Sequence, residues 1–453
     1  MSRSPSEFGS SDAQPIAVSL GKSIDLPILP ADSLAPRAPG AIDFQPPKKT
    51  RLFTGLDIGT TKVCAIIGEI DPSGQTTVKG LASTPSQGLQ RGVVMNLDET
   101  IHSIRSAIQH AEEIARVSVR DVLVGIAGSH IQTHNVLHTI KIQNPERGIS
   151  KSDVKKVVDR AVASVASADR EVVQVVTQRF LIDDGEVSRP VGVSSHELSV
   201  EVLVVTAAMS SAQNIVRAVK QAGYHTSGIY LEPLASSLAV LTPEERNLGV
   251  LVVDIGGGTS DIALWAHGAV RFTGSVPFGG DSITEDISSV LKISRYDAEN
   301  LKKRFGGCDL DSPNLDQEIE VPLAVTGAMT KVNRRLLCEI IESRLAEIME
   351  LCVENCRRSR YFDPNNLGGI ILTGGAALTD GLAGLGERTF QLPCKVGVPM
   401  GLKGLASIAD SPIYSTGVGL VRYGLKHEHD LDFSEANLFS RLMGFFKRSI
   451  EWY

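Results

Sequence analysis

Apolar runs that end at an aspartate and a glycine turn recur along the chain and predict its central strands. In one case, β-branched and aliphatic residues fill 250–253, Asp254 follows, and glycines and a threonine precede a second apolar run from Ile262. The same order occurs at 52–63, where Asp57 ends the first run. Both stretches predict a strand, a tight turn and a second strand. Since 250–253 is apolar throughout, we expect that strand to be buried on both faces.

A third glycine turn follows the apolar run 369–372, and longer periodic stretches predict helices. Positions 98–114 carry apolar residues at helical spacing, and we expect Asp98 to cap that helix. A long helix is expected from about Lys331 to Arg360. Its expected apolar stripe consists of Leu336, Ile340, Ile341, Leu345, Ile348, Leu351 and Cys352.

Residues 121–205 follow a different pattern, with strand-like stretches, one helix from Ser152 and no glycine-rich turn. This predicts an inserted α+β module. Within it, His130, His134 and His138 recur every four residues. The surrounding alternation favours a strand, where about 13 Å per four residues would place them too far apart to bind one metal.

Composition indicates an ordinary globular protein of more than one domain. At 453 residues the chain is too long for one simple core. Its net charge of −7 argues against broad nucleic-acid affinity through a basic surface. The cysteines form no Cys-x-x-Cys pair, so we interpret them as packing or surface thiols. We find no signal peptide and no apolar run of ~20 residues, which predicts a cytoplasmic protein.

The first 50 residues are rich in Ser, Pro and Ala, and we expect a disordered tail there. Gly21-Lys22-Ser23 imitates the end of a P-loop, but Ile16 stands where that motif needs a glycine and no strand precedes it. We therefore reject a P-loop. A partner-binding peptide remains an alternative to an unbound linker.

The glycine turns carry the candidate chemistry. Three successive glycines after Asp254 remove every Cβ, so bare amides can approach a ligand closely. A carboxylate beside such amides suits a Mg²⁺-nucleotide, with amides for phosphate and Asp254 for the metal or its waters. A single turn of this kind also occurs as an ordinary hairpin. Two copies suggest a duplicated unit that grips one ligand from two sides, and the third turn could lie against a base or ribose.

These three stretches, in this order, resemble the actin-like ATPase superfamily. Further motifs resemble its FtsA family of bacterial cell-division proteins, namely QGLQRG at 87–92, LASS at 234–237, LTGGAA at 372–377 and YSTGVGL at 414–420. The resemblance covers about 51–424 and resumes at the C-terminal segment. It implies an α/β fold, a two-lobed actin-like ATPase with duplicated ribonuclease-H-like cores and an inserted small α+β subdomain of the SHS2 type.

The expected organisation combines this resemblance with the composition. In chain order it is a tail (1–50), the first lobe (51–120), the insert (121–205), the first lobe continued (206–247), the second lobe (248–400), a closing segment of the first lobe (401–424), a linker (425–436) and an amphipathic helix (437–453).

The resemblance also implies roles for individual residues. Asp57 and Asp254 would serve Mg²⁺, partly through water. The residues expected to contact ATP are Asp57, Gly59, Thr60, Thr61, Lys62, Asp254, Gly256, Gly257, Gly258, Thr259, Glu299, Lys302, Gly374, Gly375 and Ala376. Glu299 and Lys302 would serve the ribose and adenine side, although an i,i+3 surface ion pair is the alternative.

Glu232 matches the position that orients the attacking water in some relatives. The alternative is an acidic residue at a helix start, with no chemistry. In the family, the region of Arg334 and Glu339 contributes to the site for the C-terminal peptide of the tubulin-like protein FtsZ, so we expect these two residues to bind that partner.

The C-terminal segment combines large apolar residues with bases, which suits the surface of an anionic membrane, and it is too short to span one. A helix docked on the protein body is the alternative. The residues expected at the membrane are Leu438, Phe439, Leu442, Phe445, Phe446, Lys447, Arg448 and Ile450.

These features together predict an ATP-binding protein with at most slow ATPase activity. The resemblance implies that it self-associates, ties FtsZ filaments to the cytoplasmic face of the inner membrane at the septum, and recruits later division proteins. An actin-like pilus-assembly adaptor and a small-molecule kinase of the same superfamily are the alternatives.

Overall fold

The computed structural model describes residues 49–183 and 185–430, with side chains as far as Leu425. The strands are β1 (Arg51–Ile58), β2 (Lys62–Ile70), β3 (Thr76–Pro85), β4 (Leu89–Gln90), β5 (Val93–Val94), β6 (Asp121–Ile126), β7 (Ile131–Lys141), β8 (Arg170–Ile182), β9 (Gly185–Val187), β10 (Glu197–Ala208), β11 (His225–Leu231), β12 (Val250–Ile255), β13 (Ser260–Ala266), β14 (Ala269–Val276), β15 (Glu318–Pro322), β16 (Met329–Asn333), β17 (Gly369–Thr373), β18 (Cys394–Val396) and β19 (Leu402–Gly404).

The helices are α1 (Leu97–Ala115), α2 (Lys151–Ala163), α3 (Met209–Ala222), α4 (Glu232–Val240), α5 (Pro243–Leu248), α6 (Gly280–Leu291), α7 (Arg295–Phe305), α8 (Arg334–Cys356), α9 (Leu382–Phe390), α10 (Ala406–Ala409) and α11 (Ser415–Asp430). None of these helices in the described ranges is long and apolar enough to cross a lipid bilayer.

The first lobe is a mixed sheet covered by helices on both faces. Its strand order is β11-β6-β1-β2-β3-β19. β1, β2 and β3 form antiparallel hairpins, whereas β6 pairs with β1 in parallel and β11 pairs with β6 in parallel. One face packs against α1 and α3, and the other against α4 and α11. The closing segment therefore returns to the first lobe, because β19 pairs with β3 and α11 packs on the sheet.

The second lobe repeats this plan, which confirms the duplicated core. Its strand order is β14-β13-β12-β17-β18. β12, β13 and β14 are antiparallel neighbours, while β17 and β18 continue the sheet in parallel. Helices α6, α7, α8 and α9 bury one face of the sheet. The expectation for 250–253 is confirmed, since every residue of β12 is buried.

Helix α4 lies where the two lobes meet. Residues 233–240 are all buried, so no face of the helix is exposed. Its apolar side chains share one core with Ile66 of the first lobe and with Val252 and Ile371 of the second. The chain therefore reaches the second lobe through a helix that both sheets hold.

The insert is a sheet in the order β7-β10-β8-β9 with α2 packed on one face. Its strand pattern was predicted because apolar and polar residues alternate. The insert also touches the second lobe. The Asn135 side chain donates to the Arg271 carbonyl (2.9 Å), and Gln178 donates to the Val270 carbonyl (2.8 Å). Of the three histidines, His134 and His138 lie on β7 and His130 just before it, as the alternation predicted.

The N-terminal boundary of the insert was wrong. We expected it to begin at 121, but β6 lies inside the first-lobe sheet between β11 and β1. Alternation and apolar content identify a strand without identifying its partner, which is why the error arose. The insert begins after β6.

Three local expectations also differ from the structure. Asn96, not Asp98, caps α1, because its side chain accepts hydrogen bonds from the amides of Asp98 and Glu99. Helix α8 begins at Arg334, since Lys331 belongs to β16, and Leu337 rather than Leu336 is buried. Helix α11 continues to Asp430, so residues 425–430 are helical and not linker. Almost the whole expected tail at 1–50, and all of 431–453, lie outside the described residues.

Candidate nucleotide-binding site

The two glycine turns lie against each other across the lobes. The first joins β1 to β2 and the second joins β12 to β13. A Cβ atom on Gly258 would lie 2.6 Å from Thr60 Oγ1, and one on Gly257 would overlap the Thr61 side chain. The prediction that the two turns face one another is therefore met by the geometry.

The first turn carries its own counterion. Lys62 Nζ lies 3.1 Å from Asp57 Oδ2, and both side chains are largely buried. Burial disfavours the charged ammonium, but the neighbouring Asp57 carboxylate more than offsets it and raises the pKa of Lys62. Lys62 also lies over the Tyr414 ring, 5.8 Å from its centroid. Lys62 is thus held as a cation beside Asp57, at the base of the turn.

Asp254, in the second turn, is surrounded by hydroxyls instead. Its Oδ2 accepts hydrogen bonds from Ser236 on α4 and from Thr416 on α11 (3.3 Å for Thr416). Burial raises the pKa of Asp254 to about 6. On the neighbouring strand, Asp261 pairs with Asp254 in the β-sheet register and accepts from Thr259 Oγ1 (2.9 Å). Burial raises the pKa of Asp261 to about 7.

Glu232 begins α4 and faces the same group of carboxylates. Its side chain lies over β6, where a Cβ atom on Gly125 would come within 3.0 Å of Glu232 Oε1. Burial, and then the charges of Asp57 and Asp261, raise the pKa of Glu232 well above its usual range. The site thus concentrates more carboxylates than Lys62 can neutralise. That excess fits a divalent cation held through Asp57 and Asp254.

A cavity of about 30 Å³ adjoins the carboxylates, lined by Asp261, Thr133 of the insert and Thr273 of β14 among others. The Thr273 hydroxyl is buried without a hydrogen-bond partner among the described residues. A cavity of this size has room for about two waters. We expect water there, bonded to the Thr273 hydroxyl.

The third turn contacts Asp254 directly. Gly374 has a φ of 88°, a left-handed conformation that favours glycine. A Cβ atom there would overlap the Asp254 carboxylate. Gly375 and Ala376 begin a 3-10 helix that follows. The three predicted turns therefore meet around one carboxylate.

Glu299 and Lys302 form an ion pair (2.6 Å) on α7. Lys302 also donates to the Gly280 carbonyl (2.8 Å) and to Thr284 Oγ1 (2.7 Å), which engages its ammonium fully. Burial opposes the Glu299 charge, but hydrogen bonds from Lys302 and Thr284 lower its pKa to about 2. Since the Gly280 amide bonds to the Gly256 carbonyl (2.9 Å), the pair supports the second turn from behind.

The predicted partner residues lie elsewhere, on α8. Arg334 Nε donates to the Phe305 carbonyl at the end of α7 (2.9 Å). Glu339 is exposed, five residues further along the helix. At about 100° per residue the two side chains do not share a face. The eight predicted membrane residues at 438–450 lie outside the described residues.

Sequence reasoning did not assign roles to Ser236, Thr416 and Asp261. Ser236 and Thr416 belong to the LASS and YSTGVGL motifs, so the resemblance contained a signal for them. Asp261 lies between the glycine turn and the apolar run from Ile262, and nothing in that pattern gave a reason to expect a buried carboxylate.

Comparison with known proteins identifies the family. A family model described as cell division protein FtsA matches residues 251–419, and one described as an SHS2 domain inserted in FtsA matches 128–206. Cell division protein FtsA of Pseudomonas aeruginosa (strain PAO1) is 39% identical over 84% of this chain and 91% of its own length. The chain belongs to the FtsA family. The FtsA of Escherichia coli (strain K12) is 36% identical over 84% of this chain and 91% of its own.

Solved structures support the actin-like fold. A PilM–PilN type IV pilus biogenesis complex contains a chain with a TM-score of 0.58 at 18% identity, covering 82% of this chain and 98% of its own. MreB5 of Spiroplasma citri, solved with ADP, has a TM-score of 0.53 at 15% identity. The match covers 85% of this chain and 99% of the MreB5 chain. At these identities the likeness concerns the fold alone. The SHS2 match begins at residue 128, in agreement with an FtsA insert that starts after β6.

Proposed function

We propose that this FtsA-family chain binds ATP and Mg²⁺ between its lobes and links FtsZ filaments to the cytoplasmic membrane. The observation that carries the ATP site is the meeting of two glycine turns, Thr60 against Gly258, beside carboxylates that exceed their counterions. Bare amides are suited to phosphate, and Mg²⁺ supplies the positive charge that those carboxylates lack.

The residues of the site divide this work. Turn residues 59–62 and 256–259 hold the phosphates from the two lobes, with the Lys62 ammonium supplying positive charge beside the first turn. Asp57 and Asp254 hold Mg²⁺ and its waters. Gly374, Gly375 and Ala376 lie on the nucleoside side, and Glu299 with Lys302 supports the second turn or contacts the ribose.

Hydrolysis of ATP is slow in this proposal. Glu232 is the group that orients the attacking water, and it lies among other carboxylates. Burial, and then the charges of Asp57 and Asp261, raise the pKa of Glu232 well above its usual range, which disfavours the carboxylate that would accept a proton from that water. The proposed role is therefore that of a nucleotide-dependent assembly switch with slow turnover.

We assign attachment to the membrane to the C-terminal segment on the basis of its sequence. Leu438, Phe439, Leu442, Phe445, Phe446 and Ile450 supply the apolar side, and Lys447 and Arg448 attract anionic lipid. Self-association into filaments and recruitment of later division proteins complete the role, which places the protein at the septum. Family membership favours this role over a pilus adaptor or a small-molecule kinase. Arg334 and Glu339 are the proposed contacts for the FtsZ peptide.

Cosedimentation with anionic liposomes tests the proposal. The full chain and a chain ending at Asp432 are each mixed with ATP, Mg²⁺ and purified FtsZ, then centrifuged with vesicles. We expect only the full chain to bring FtsZ down with lipid. Vesicles of neutral lipid serve as the control, because binding through Lys447 and Arg448 requires negative charge. Equal sedimentation of FtsZ with both chains would show that the terminal segment is not the anchor.

A further inference from the structure

A glutamine of the insert reaches the start of α4. Gln174 lies on β8 and is 5% exposed. Its Oε1 accepts a hydrogen bond from the Leu231 amide (3.0 Å), and its Nε2 donates to the Tyr423 hydroxyl on α11 (3.2 Å). Leu231 directly precedes Glu232. The insert therefore holds the backbone next to the residue proposed to orient water.

Helix α4 lacks a local N-terminal cap. Leu231 occupies the N-cap position and has no side chain that can accept a hydrogen bond. In a capping box, the side chain three residues into the helix accepts from the N-cap amide. That position is Leu234, which cannot do so. Gln174 supplies the missing acceptor from another subdomain.

Gln174 is itself rigidly placed. Its strand is paired with β10, where Gln174 stands opposite Val205. Nearby Val176 is buried in the same core as Leu231 and Tyr230. The Tyr230 and Tyr423 rings stack with centroids 4.7 Å apart, beside the hydroxyl that Gln174 contacts. A shift of β8 would thus be transmitted to the first turn of α4.

We propose that Gln174 is a positioning residue for Glu232, through which the insert sets the geometry of the hydrolytic water. This inference rests on the ATP site proposed above. It goes further by assigning a role at the catalytic centre to a residue of the inserted subdomain. It also gives whatever binds the insert a direct route to the rate of hydrolysis.

The test compares variants of the full chain in single-turnover hydrolysis at saturating ATP–Mg²⁺, alongside the Kd for ATP. Gln174→Leu removes both hydrogen bonds at similar size. We expect hydrolysis to slow about 10- to 100-fold, as small misplacements of reacting groups do, with the Kd changed less than about twofold. Gln174→Glu keeps an acceptor for the Leu231 amide and should restore most of the rate. Gln174→Asn withdraws the amide by one methylene and should behave as Gln174→Leu does.

Two controls separate positioning from general damage. Thr139→Val breaks a hydrogen bond within the insert, to Ser199 (2.7 Å), and should leave the rate unchanged. In a chain that already carries Glu232→Gln, Gln174→Leu should cause no further slowing, since its effect acts through Glu232. If Gln174→Leu does not fold, Gln174→Asn and Gln174→Glu carry the same comparison.

The outcomes are distinct. Wild-type rates in the Leu and Asn variants, or further slowing in the Glu232→Gln chain, would overturn the role of Gln174 and leave the ATP site standing. If the wild-type chain binds ATP but does not hydrolyse it, the role of Gln174 is also overturned, whereas the proposed ATP site still stands. A wild-type chain that does not bind ATP would refute the proposed function itself.

Discussion

The two glycine turns share a backbone plan and differ in how their aspartates are satisfied. Both join antiparallel strands at the centre of a lobe, and both place a carboxylate at the end of the first strand. In the first turn, Asp57 meets the Lys62 ammonium at 3.1 Å. In the second, Asp254 meets the hydroxyls of Ser236 and Thr416.

Hydroxyls satisfy hydrogen bonds without supplying charge. The second turn consequently carries buried negative charge, from Asp254 and from Asp261 opposite it, and burial raises the pKa of both. The duplication thus preserved the hairpin, but within the described part of the chain only the aspartate of the first turn forms an ion pair with a cation. We infer that the second turn depends more on an external cation, the role proposed above for Mg²⁺.

The largest effect should come from removing the single ammonium at the first turn. Lys62→Met leaves Asp57 buried without a counterion, so the free energy of unfolding should fall by about 3 kcal/mol. Urea denaturation at neutral pH measures it. Adding Asp57→Asn to the same chain should recover a large part of the loss, because the unpaired charge is then gone.

The control for Lys62 is an exposed pair. Lys79 lies 3.3 Å from Glu69, with both side chains more than a third exposed. Lys79→Met should cost less than about 1 kcal/mol. Equal losses in the Lys62 and Lys79 variants would contradict the view that the first turn depends on a buried ion pair.

The excess negative charge at the second turn should make the stability of the protein depend on pH. The pKa of Asp261 is about 7 in the folded protein, whereas an unfolded aspartate titrates near 4. Between these values the folded state binds more protons, so the wild type loses stability as pH rises through this window. Asp261→Asn removes that loss. Its stability relative to wild type should increase by about 2 kcal/mol from pH 5 to pH 8, measured by urea denaturation.

Asp71 is a control of opposite sign, because its pKa is lowered in the folded protein whereas that of Asp261 is raised. The Ser73 hydroxyl bonds to its carboxylate and lowers the pKa of Asp71. Asp71→Asn should therefore lose stability relative to wild type as pH rises from acid to neutral. If the difference in unfolding free energy between the wild type and Asp261→Asn does not change with pH, then burial does not raise the pKa of Asp261.

The sequence could predict the turns themselves. Runs such as 250–253 and the glycines after Asp254 determine strand, turn and strand by local rules, and both hairpins formed where expected. The resemblance implied that the three turns meet at one site.

Local sequence patterns could not predict contacts between residues that lie far apart in the chain. Ser236 and Thr416 lie 18 and 162 residues from Asp254, and nothing in the spacing shows that their hydroxyls meet it. The partner of β6 was missed for the same reason, since pairing in a sheet depends on the whole fold. The polar stretch after Leu425 was expected to be a linker because it lacks apolar residues, yet the helix that begins at Ser415 continues as far as Asp430.

The smallest effect tests the hydroxyl that takes the place of a cation at the second turn. Ser236→Ala removes a donor to the Asp254 carboxylate, so the pKa of Asp254 should rise above its present value of about 6. The free energy of unfolding of this variant should fall by about 1.5 kcal/mol at pH 8, where Asp254 is charged, and by about 0.5 kcal/mol at pH 5. Ser237→Ala is the matched control, because its hydroxyl donates to the Pro233 carbonyl on the same helix (2.6 Å). Its loss should be the same at both pH values. If the two serine variants share one pH profile, Ser236 does not stabilise the Asp254 charge, and the contrast between the two turns must have another source.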